Sequence, residues 1–502
     1  MGNTISNTID GLINVIRILL PSPIVNLVAD VYPTKLELDN IQGDIIVGLP
    51  KRVERFLFYE IRDVPRFRRS LSKLVPTITT TAQVLNDRDR IQEYKKTHHT
   101  GAPLLTLSAT NIAFSRWGLN KLGKREGLED GAFQRGQAAD IEALGDPHVP
   151  HHEHEPDWIP QFKEKIDLII LITGDCEGSI NVRVEEIEKI FGIDTPEASL
   201  QEVITITGKA RPGAQKGHEH FGYKDGISQP ALKNWGPRQG GPALLPGQEA
   251  VPSGVLLCRH TGDPRDPPRW TKDGSFLVFR YLEQLVPEFN NFVSQNPISG
   301  VPPGKGSELT GARLVGRWKS GAPLELAPID DDPALGDDPK RNNNFNYVAD
   351  QMQERCPFAA HIRKTNPRTD QPLSLTGTEF RRIWRQGISY GEEVTPEERE
   401  KGKTLHPRGL AFVCYASSID NGFRFIQQSW CNNQAFPLKI PPGISGFDPI
   451  IGLNGDGPRN MFDPRSRGKD LHLPFNFVVP KGGEYFFAPS IAALRDELAV
   501  RP

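Results

Sequence analysis

The feature that most constrains the fold is one order of predicted elements that occurs in both halves of the chain. In the first half, apolar runs and helical periodicity predict strand, helix, strand, and then the same three elements again. These elements are ERFLFYEI (54–61), DVPRFRRSLSKLVPTI (63–78), ATNIAFS (109–115), DLIILITGD (167–175), a helix with Ile180, Val184, Ile187 and Phe191 on one face, and EVITITGKA (202–210). This order is typical of the ferredoxin-like α+β fold.

The second half repeats the pattern around a long interruption. Its predicted elements are strands at 254–260, 275–282 and 409–418, helices at 286–296 and 421–430, and a strand that leads into a final helix at 482–498. A loop-rich insert occupies 300–408, and loops of this length in an enzyme usually carry function. A segment rich in proline and glycine, 231–252, separates the two halves.

The length of the chain predicts two domains, and its charge and cysteine content indicate what it binds and in which compartment it folds. The 502 residues exceed the roughly 250–300 that one hydrophobic core accommodates. The balance of 60 Lys+Arg against 62 Asp+Glu argues against a dedicated nucleic-acid binder. The five cysteines are an odd number without a CxxC pair, which argues against a disulfide framework or a zinc ribbon and favours a reducing compartment.

Residues 1–35 form an N-terminal extension. Apolar residues recur at helical spacing between 5 and 20, which predicts a short amphipathic helix. We expect this helix to dock on the domain or on a second subunit, and contact with a membrane surface is the alternative. Arg17 and two prolines argue against a spanning helix, and the lack of a basic leader favours a cytoplasmic location, with secretion as the alternative. MGNTIS also fits the myristoylation pattern at Gly2, although chance often produces so short a pattern.

Two histidine-rich segments are candidate metal sites. The tract HVPHHEHE (148–155) lacks the spacing of an HExxH site, so a solvated loop is the favoured interpretation. His218 and His220 form an H-x-H pair that could bind a metal from a strand, and structural or supporting roles are favoured for them.

Three further segments contain residues suited to catalysis. In GYKDG, two glycines bracket Asp225 and allow its carboxylate to approach a ligand, although an ordinary turn gives the same pattern. His361 follows apolar residues and precedes basic ones, which suits ligation of a metal whose cofactor carries carboxylates; a core histidine is the alternative. Arg385 could stabilise negative charge on a substrate oxygen, or lie exposed in a basic run.

Taken together, several long segments resemble the dye-decolorizing peroxidase family, in particular its fungal long form. They extend from about residue 36 to the C-terminal part of the chain and occur in the family's order. The segments are LDNIQGDIIVGLPKR (38–52), GHEHFGYKDGISQP (217–230), DGSFLVFRYLEQLVPEF (273–289), GARLVGRWKSGAPLEL (311–326), RNNNF (341–345), CPFAAHIRKTNPR (356–368), RGLAFVCYASSIDNGF (408–423) and GGEYFFAPSI (482–491).

The resemblance implies a duplicated ferredoxin-like fold of the dimeric α+β barrel type, with haem b in the C-terminal half. The expected domains are 36–235, which carries the distal aspartate, and 250–502, which binds haem. The implied roles are proximal iron ligand for His361, distal aspartate for Asp225, distal arginine for Arg385, propionate partner for Arg368, apolar distal wall for Leu410 and Phe412, orientation of His361 for Asp448, and surface electron relay for Tyr390. Trp384 and Trp430 are weaker relay candidates, and 453–461 is shorter and poorer in glycine than the family pattern.

The resemblance also implies the reaction and its partners. Hydrogen peroxide would oxidise the haem to a ferryl intermediate, and aromatic reductants such as dyes and phenols would then supply single electrons. We expect a monomer or a homodimer and no nucleic-acid partner. The alternatives are a haem-binding or haem-handling protein with little peroxidase turnover and a metal-dependent hydrolase built on the H-x-H pair.

Overall fold

The computed structural model describes most of the chain beyond the N-terminal extension. The described residues are 35–99, 103–126, 128–302, 304–370, 378–437, 443–455, 457, 459–466 and 470–500. The amphipathic helix and the acylation site predicted in the N-terminal extension therefore lie outside the described residues. Of residues 1–35, only Lys35 is described. Within the described part, no helix is both long and apolar enough to cross a membrane.

Nine strands make one large sheet. They are β1 (Val53–Ile61), β2 (Ser108–Ser115), β3 (Leu168–Gly174), β4 (Leu200–Lys209), β5 (Ser275–Gln284), β6 (Trp384–Arg385), β7 (Ile388–Tyr390), β8 (Gly409–Ala416) and β9 (Val478–Ala488). In the first half the spatial order is β4-β1-β3-β2, with every neighbouring pair antiparallel. Phe56 of β1, for example, lies opposite Leu171 of β3 on one side and Ile206 of β4 on the other.

The second half has the same strand order and closes the sheet on itself. β6 and β7 are two parts of one interrupted edge strand on β8, and β8 pairs with β5, which pairs with β9. Both halves therefore have the ferredoxin-like order 4-1-3-2. The two halves of the sheet meet where Tyr390 lies opposite Gly208 and where Phe487 lies opposite Phe114, so the strands form a continuous ring. The predicted duplicated α+β fold is confirmed.

Most strands are buried on both faces, and their alternate residues serve two different cores, whereas β4 carries several exposed polar residues. One set points into the ring, where the ring of Phe279 contacts those of Phe56 and Phe58, with centroids 5.2 and 4.9 Å away. The alternate set, which includes Leu57 and Ile170, packs under helices on the outside. Because every residue of β3 is buried, the strand is a continuous apolar run and was readily predicted from sequence.

Helices cover the outer faces and build the long insert. The α-helices are α1 (Val64–Leu74), α2 (Thr81–Thr97), α3 (Arg116–Lys121), α4 (Gly131–Arg135), α5 (Ile141–Leu144), α6 (Glu177–Phe191), α7 (Val286–Gln295), α8 (Lys305–Val315), α9 (Pro333–Asp337), α10 (His361–Thr365), α11 (Pro396–Lys401), α12 (Phe423–Phe425) and α13 (Ile491–Ala493). The last two continue as π-helical turns, Ile426–Cys431 and Leu494–Leu498.

Three parts of the sequence interpretation need correction. The predicted strand at 254–260 is wrong: Ser253–Val255 is a 3-10 turn, and its apolar neighbours Leu256 and Leu257 are buried without joining the sheet. Helix α2 was missed because little of it is buried, although Thr80 and Gln83 form a capping box at its start. The histidine tract predicted to be a loop forms a two-stranded ribbon, His148–Val149 with His152–Pro156.

The close pairing of β8 with β5 has one testable consequence for stability. A Cβ added at Gly409, at the start of β8, would overlap the carbonyl oxygen of Leu282 on β5. We therefore expect Gly409→Ala to destabilise the protein by about 1–3 kcal/mol through overpacking. Gly178→Ala, in the first turn of α6, meets only the Cys176 sulfur at 3.7 Å and should be neutral or slightly stabilising. Urea unfolding of both variants tests this, and equal midpoints would contradict it.

Candidate active site

One large cavity brings together most of the residues singled out from sequence. It contains about 1890 Å³ of empty space, including the part open to solvent. Its wall includes Asp225, His361, Arg368, Arg385, Leu410 and Phe412. These six residues come from four separate stretches of the chain, so only folding brings them together. Asp448 lies directly behind His361, in contact with it.

His361 begins α10 and is fixed by a buried carboxylate. Its Nδ1 lies 2.8 Å from Oδ2 of Asp448, and the other carboxylate oxygen accepts the backbone N–H groups of Ile450 and Ile451. Burial lowers the pKa of His361, but the charge of Asp448 outweighs it and the pKa is raised. Burial raises the pKa of Asp448, whereas His361 and the two amides bring it below its usual value. This pair leaves Nε2 of the imidazole available to a ligand in the cavity.

Asp225 and Arg385 form a second pair on the wall of the same cavity. Arg385 donates from Nη1 to Oδ1 of Asp225 at 2.6 Å, and from Nη2 to the Ser228 carbonyl at 3.1 Å. Gln229 bonds to both the N–H and the C=O of Arg385 and so fixes its backbone. Burial raises the pKa of Asp225, but the charge and hydrogen bond of Arg385 bring it below the usual value. Asp225 is therefore a carboxylate at neutral pH.

The backbone around Asp225 explains why glycines flank it. Gly222 has φ +94° and Gly226 has φ +79°, both in the left-handed region that favours glycine. Gly226 also donates its N–H to Oδ1 of Asp225 at 2.6 Å. The carboxylate is 43 % exposed to the cavity and stays accessible to a small molecule.

Arginines give one side of the cavity an excess of positive charge. Arg317, Arg368 and Arg382 line it together with Arg385. Burial, followed by repulsion from Arg368 and Arg385, lowers the pKa of Arg317 to about 9. Arg368 donates to the Phe345 carbonyl at 3.0 Å and lies over that phenyl ring, 4.0 Å from its centroid. Such a cluster favours a ligand that carries carboxylate groups.

The opposite wall is apolar and comes from the sheet. Leu410 and Phe412 alternate along β8 and line the cavity with Leu282. Phe412 also contacts Phe423, with ring centroids 6.0 Å apart. The cavity therefore combines a flat apolar wall, a free imidazole nitrogen and a cationic side.

Tyr390 does not lie at the surface, in contrast to the expectation from sequence. It is only 5 % exposed, at the strand position where the two sheets meet. Its ring stacks on Tyr281, with centroids 4.4 Å apart. Trp430 is also buried, whereas Trp384 is partly exposed. A relay role for any of the three stays a prediction.

Both histidines of the H-x-H pair bond to backbone carbonyls. His220 is buried, and its Nε2 bonds to the carbonyl of Tyr390 at 2.8 Å. Burial lowers the pKa of His220 to about 4. Within the described ranges, no group of three or more His, Cys, Asp or Glu residues could hold a metal ion. The metal-dependent hydrolase therefore has no site in this part of the chain.

Glu219, between those two histidines, is a site residue that the sequence analysis missed. Its carboxylate accepts the N–H groups of Phe221 and Tyr223, both at 2.8 Å, and the amide of Gln284. These bonds hold the loop that carries Asp225. The only signal in the sequence is its position three residues before GYKDG, which does not distinguish it from an exposed glutamate.

Comparison with known families covers both halves of the chain. The model "DyP dimeric alpha+beta barrel domain" matches residues 40–212, and "Dyp-type peroxidase, C-terminal" matches residues 248–436. A dye-decolorizing peroxidase of Auricularia auricula-judae is 41% identical over an alignment of 495 positions, which covers 95% of this chain and 90% of that protein. The chain belongs to the dye-decolorizing peroxidase family.

Solved structures agree with this assignment. An ancestral D-type dye-decolorizing peroxidase has a TM-score of 0.86 and 53% identity, covering 93% of this chain and all of that one. A dye-decolorizing peroxidase in complex with 2,6-dimethoxyphenol has a TM-score of 0.81 and 41% identity over the same shares. The chain is thus a peroxidase with a haem cofactor, and the alternative of a haem-handling protein is not favoured.

The His361–Asp448 pair makes a prediction for the haem-free protein. Because Asp448 raises the pKa of His361 against the effect of burial, Asp448→Asn should bring that pKa below its ordinary value of 6.5. A pH titration of the imidazole signals by NMR measures it. Asp157→Asn, an exposed carboxylate near Lys481, is the control and should leave His361 unchanged. An unaltered pKa in Asp448→Asn would show that the pair does not act as described.

Proposed function

We propose that the cavity binds haem b through Nε2 of His361 and that the chain uses hydrogen peroxide to oxidise phenols and dyes. The observation that carries the proposal is one cavity lined by His361, which pairs with the buried carboxylate of Asp448, and by the more exposed Asp225–Arg385 pair. The arginine cluster around Arg317 and Arg368 complements the two propionates of haem b. Leu410 and Phe412 would cover the apolar part of the macrocycle.

The protein groups have separate tasks around the bound haem. When bound, haem supplies the iron that takes up peroxide and the redox chemistry that splits its O–O bond. Asp448 holds the Nδ1 proton of His361, which fixes the tautomer and makes Nε2 the metal-binding nitrogen. Asp225, already ionised, accepts a proton from one oxygen of hydrogen peroxide and returns it to the other oxygen, which leaves as water. Arg385 stabilises the negative charge that develops on the leaving oxygen.

The substrate class follows from the relatives and from the shape of the site. One similar structure holds 2,6-dimethoxyphenol, and the curated relatives are named for dye decolorization. Small phenols fit a cavity with an open mouth. Large dyes need a route for electrons through the protein, and the stacked rings of Tyr390 and Tyr281 lie next to the segment that carries Arg385.

Substitutions at the cavity test the assigned roles. His361→Ala should abolish the Soret band that reconstitution with haem gives. Asp225→Asn and Arg385→Leu should keep the band yet lower peroxide-driven dye oxidation at least about 100-fold, the usual scale for loss of a proton carrier or a charge stabiliser. Because Arg385 lowers the pKa of Asp225, the acid limb of the remaining activity in Arg385→Leu should shift to higher pH.

The controls for these variants are side chains of the same kind far from the cavity. His152→Ala and Asp157→Asn should leave both the Soret band and the turnover unchanged. Full activity in Asp225→Asn and Arg385→Leu would refute the assigned roles. No Soret band in the wild-type chain would refute the proposed cofactor.

The relay hypothesis concerns large donors only. Tyr390→Phe removes the phenolic hydroxyl but keeps the ring that stacks on Tyr281, so packing is preserved. We expect slower oxidation of bulky dyes and unchanged oxidation of 2,6-dimethoxyphenol in steady-state assays. Tyr94→Phe, a tyrosine outside the cavity, serves as the control. Equal slowing of both donors would rule out the relay.

A further inference from the structure

A buried lysine on the helix that begins at His361 has no carboxylate of its own. Lys364 lies three residues after His361 on α10 and is fully buried. Its ammonium donates to the carbonyls of Asn433 at 2.8 Å and Phe436 at 2.6 Å. Among the described residues, no carboxylate oxygen lies within ion-pair distance of it. A buried charge with neutral partners is costly to the fold unless it acts on another charge nearby.

Asp448, the partner of His361, is the carboxylate whose negative charge acts on Lys364. Cys431 also faces Lys364, but burial raises the pKa of its thiol well above the usual value, so the thiol is neutral. The thiol of Cys431 bonds to Asp448, and the backbone carbonyl of Cys431 accepts the N–H of Asp448 at 2.9 Å. The carbonyls that hold Lys364 follow Cys431 in the same segment, 431–436. The ammonium therefore fastens α10 to the segment against which Asp448 is placed.

Arg459 repeats this arrangement on another side of Asp448. It is buried and bonds to the carbonyls of Gly452, at 2.5 Å, and Phe475, at 2.7 Å. Its Nη1 also lies 3.5 Å from the backbone carbonyl of Asp448. Two buried cations thus share the surroundings of one carboxylate, which also binds His361. Around the His361–Asp448 pair, these two cations outnumber the one carboxylate.

We propose that Lys364 is a positioning residue for the His361–Asp448 pair. Its buried ammonium competes with His361 for the negative charge of Asp448, and it therefore limits the basicity of the imidazole toward iron. The inference rests on the proposed haem site. It deepens that proposal by assigning a charge that sets the reduction potential of the bound iron. A less basic axial imidazole and a nearby positive charge both stabilise the reduced state, so Lys364 raises the potential.

The charge of Lys364 should also respond to pH. Burial lowers its pKa to about 7, against the raising effects of Cys431 and Asp448. The other ionisable groups that face this region are His361 across Asp448 and Arg459, whose pKa burial lowers to about 10. Lys364 is therefore charged below pH 7 and neutral above it, while Arg459 keeps its charge throughout this range.

The first experiment measures the midpoint potential of the haem-loaded protein by spectroelectrochemistry. At pH 6, Lys364→Met should lower the equilibrium constant for reduction about three- to tenfold, which is about 30–60 mV for one electron. At pH 8.5 the variant and the wild type should have the same potential. Lys364→Arg keeps a charge that does not titrate, so its potential should exceed that of the wild type at pH 8.5.

The control is Lys121→Met, which removes a partly buried lysine paired with Asp167 in the first half. It should leave the potential unchanged at both pH values. If Lys364→Met binds haem and matches the wild-type potential at pH 6, the inference fails while the proposed function stands. If the wild type binds no haem, the proposed function fails instead.

A second measurement does not depend on substitution of Lys364 or on haem. In haem-free protein labelled with ¹³C-lysine, the signal of the Lys364 side chain should titrate near pH 7. Asp448→Asn removes an anion that raises the pKa of Lys364, so that pKa should fall further. Asp157→Asn should leave it unchanged. A Lys364 pKa that does not respond to Asp448→Asn would overturn the inference.

Discussion

The closed ring of antiparallel strands is the constraint on which the rest of the structure depends. Most strands contribute one row of side chains to the interior and the alternate row to the layer beneath the helices, so both of their faces are apolar, whereas β4 carries several exposed polar residues. Polar chemistry therefore has little room on the sheet itself. It lies mostly in the segments that connect the strands: His361 is in the long insert, Asp225 is between β4 and β5, and Arg385 ends the short strand β6. The sheet provides Leu410 and Phe412 as an apolar wall and a rigid support.

Much of the fold was predictable because burial on both faces leaves a strong pattern. The segment DLIILITGD was predicted as a strand because its residues form a continuous apolar run, and seven successive residues of it are buried. The errors have equally physical reasons. The 254–260 stretch is apolar because it is buried, yet it turns where a strand was expected. The edge strand at 384–390 is interrupted after Arg385, so neither short part has a visible period.

The candidate site was predictable only in part. His361, Asp225 and Arg385 are each ambiguous alone, and the order of long motifs, which resembles a family, identified them as a set. The resemblance also pointed to Asp448, although it is 87 residues from His361. Glu219 was missed, because a residue whose partners meet only through folding looks like an ordinary surface glutamate in the sequence. Lys364 was visible only as one of several basic residues, because its burial and its carbonyl partners depend on a segment almost 70 residues away.

The two junctions of the ring have a consequence for how such a protein is assembled. Each half has the same strand order, and the halves meet through only a few backbone pairs at Tyr390 and Phe487. Two identical copies of one half could close the same ring, but its formation would then depend on protein concentration. Covalent linkage makes closure intramolecular and removes that dependence. It also releases the two halves from symmetry, so that the second half can supply most of the cavity wall while the first supplies the loop that carries Asp225.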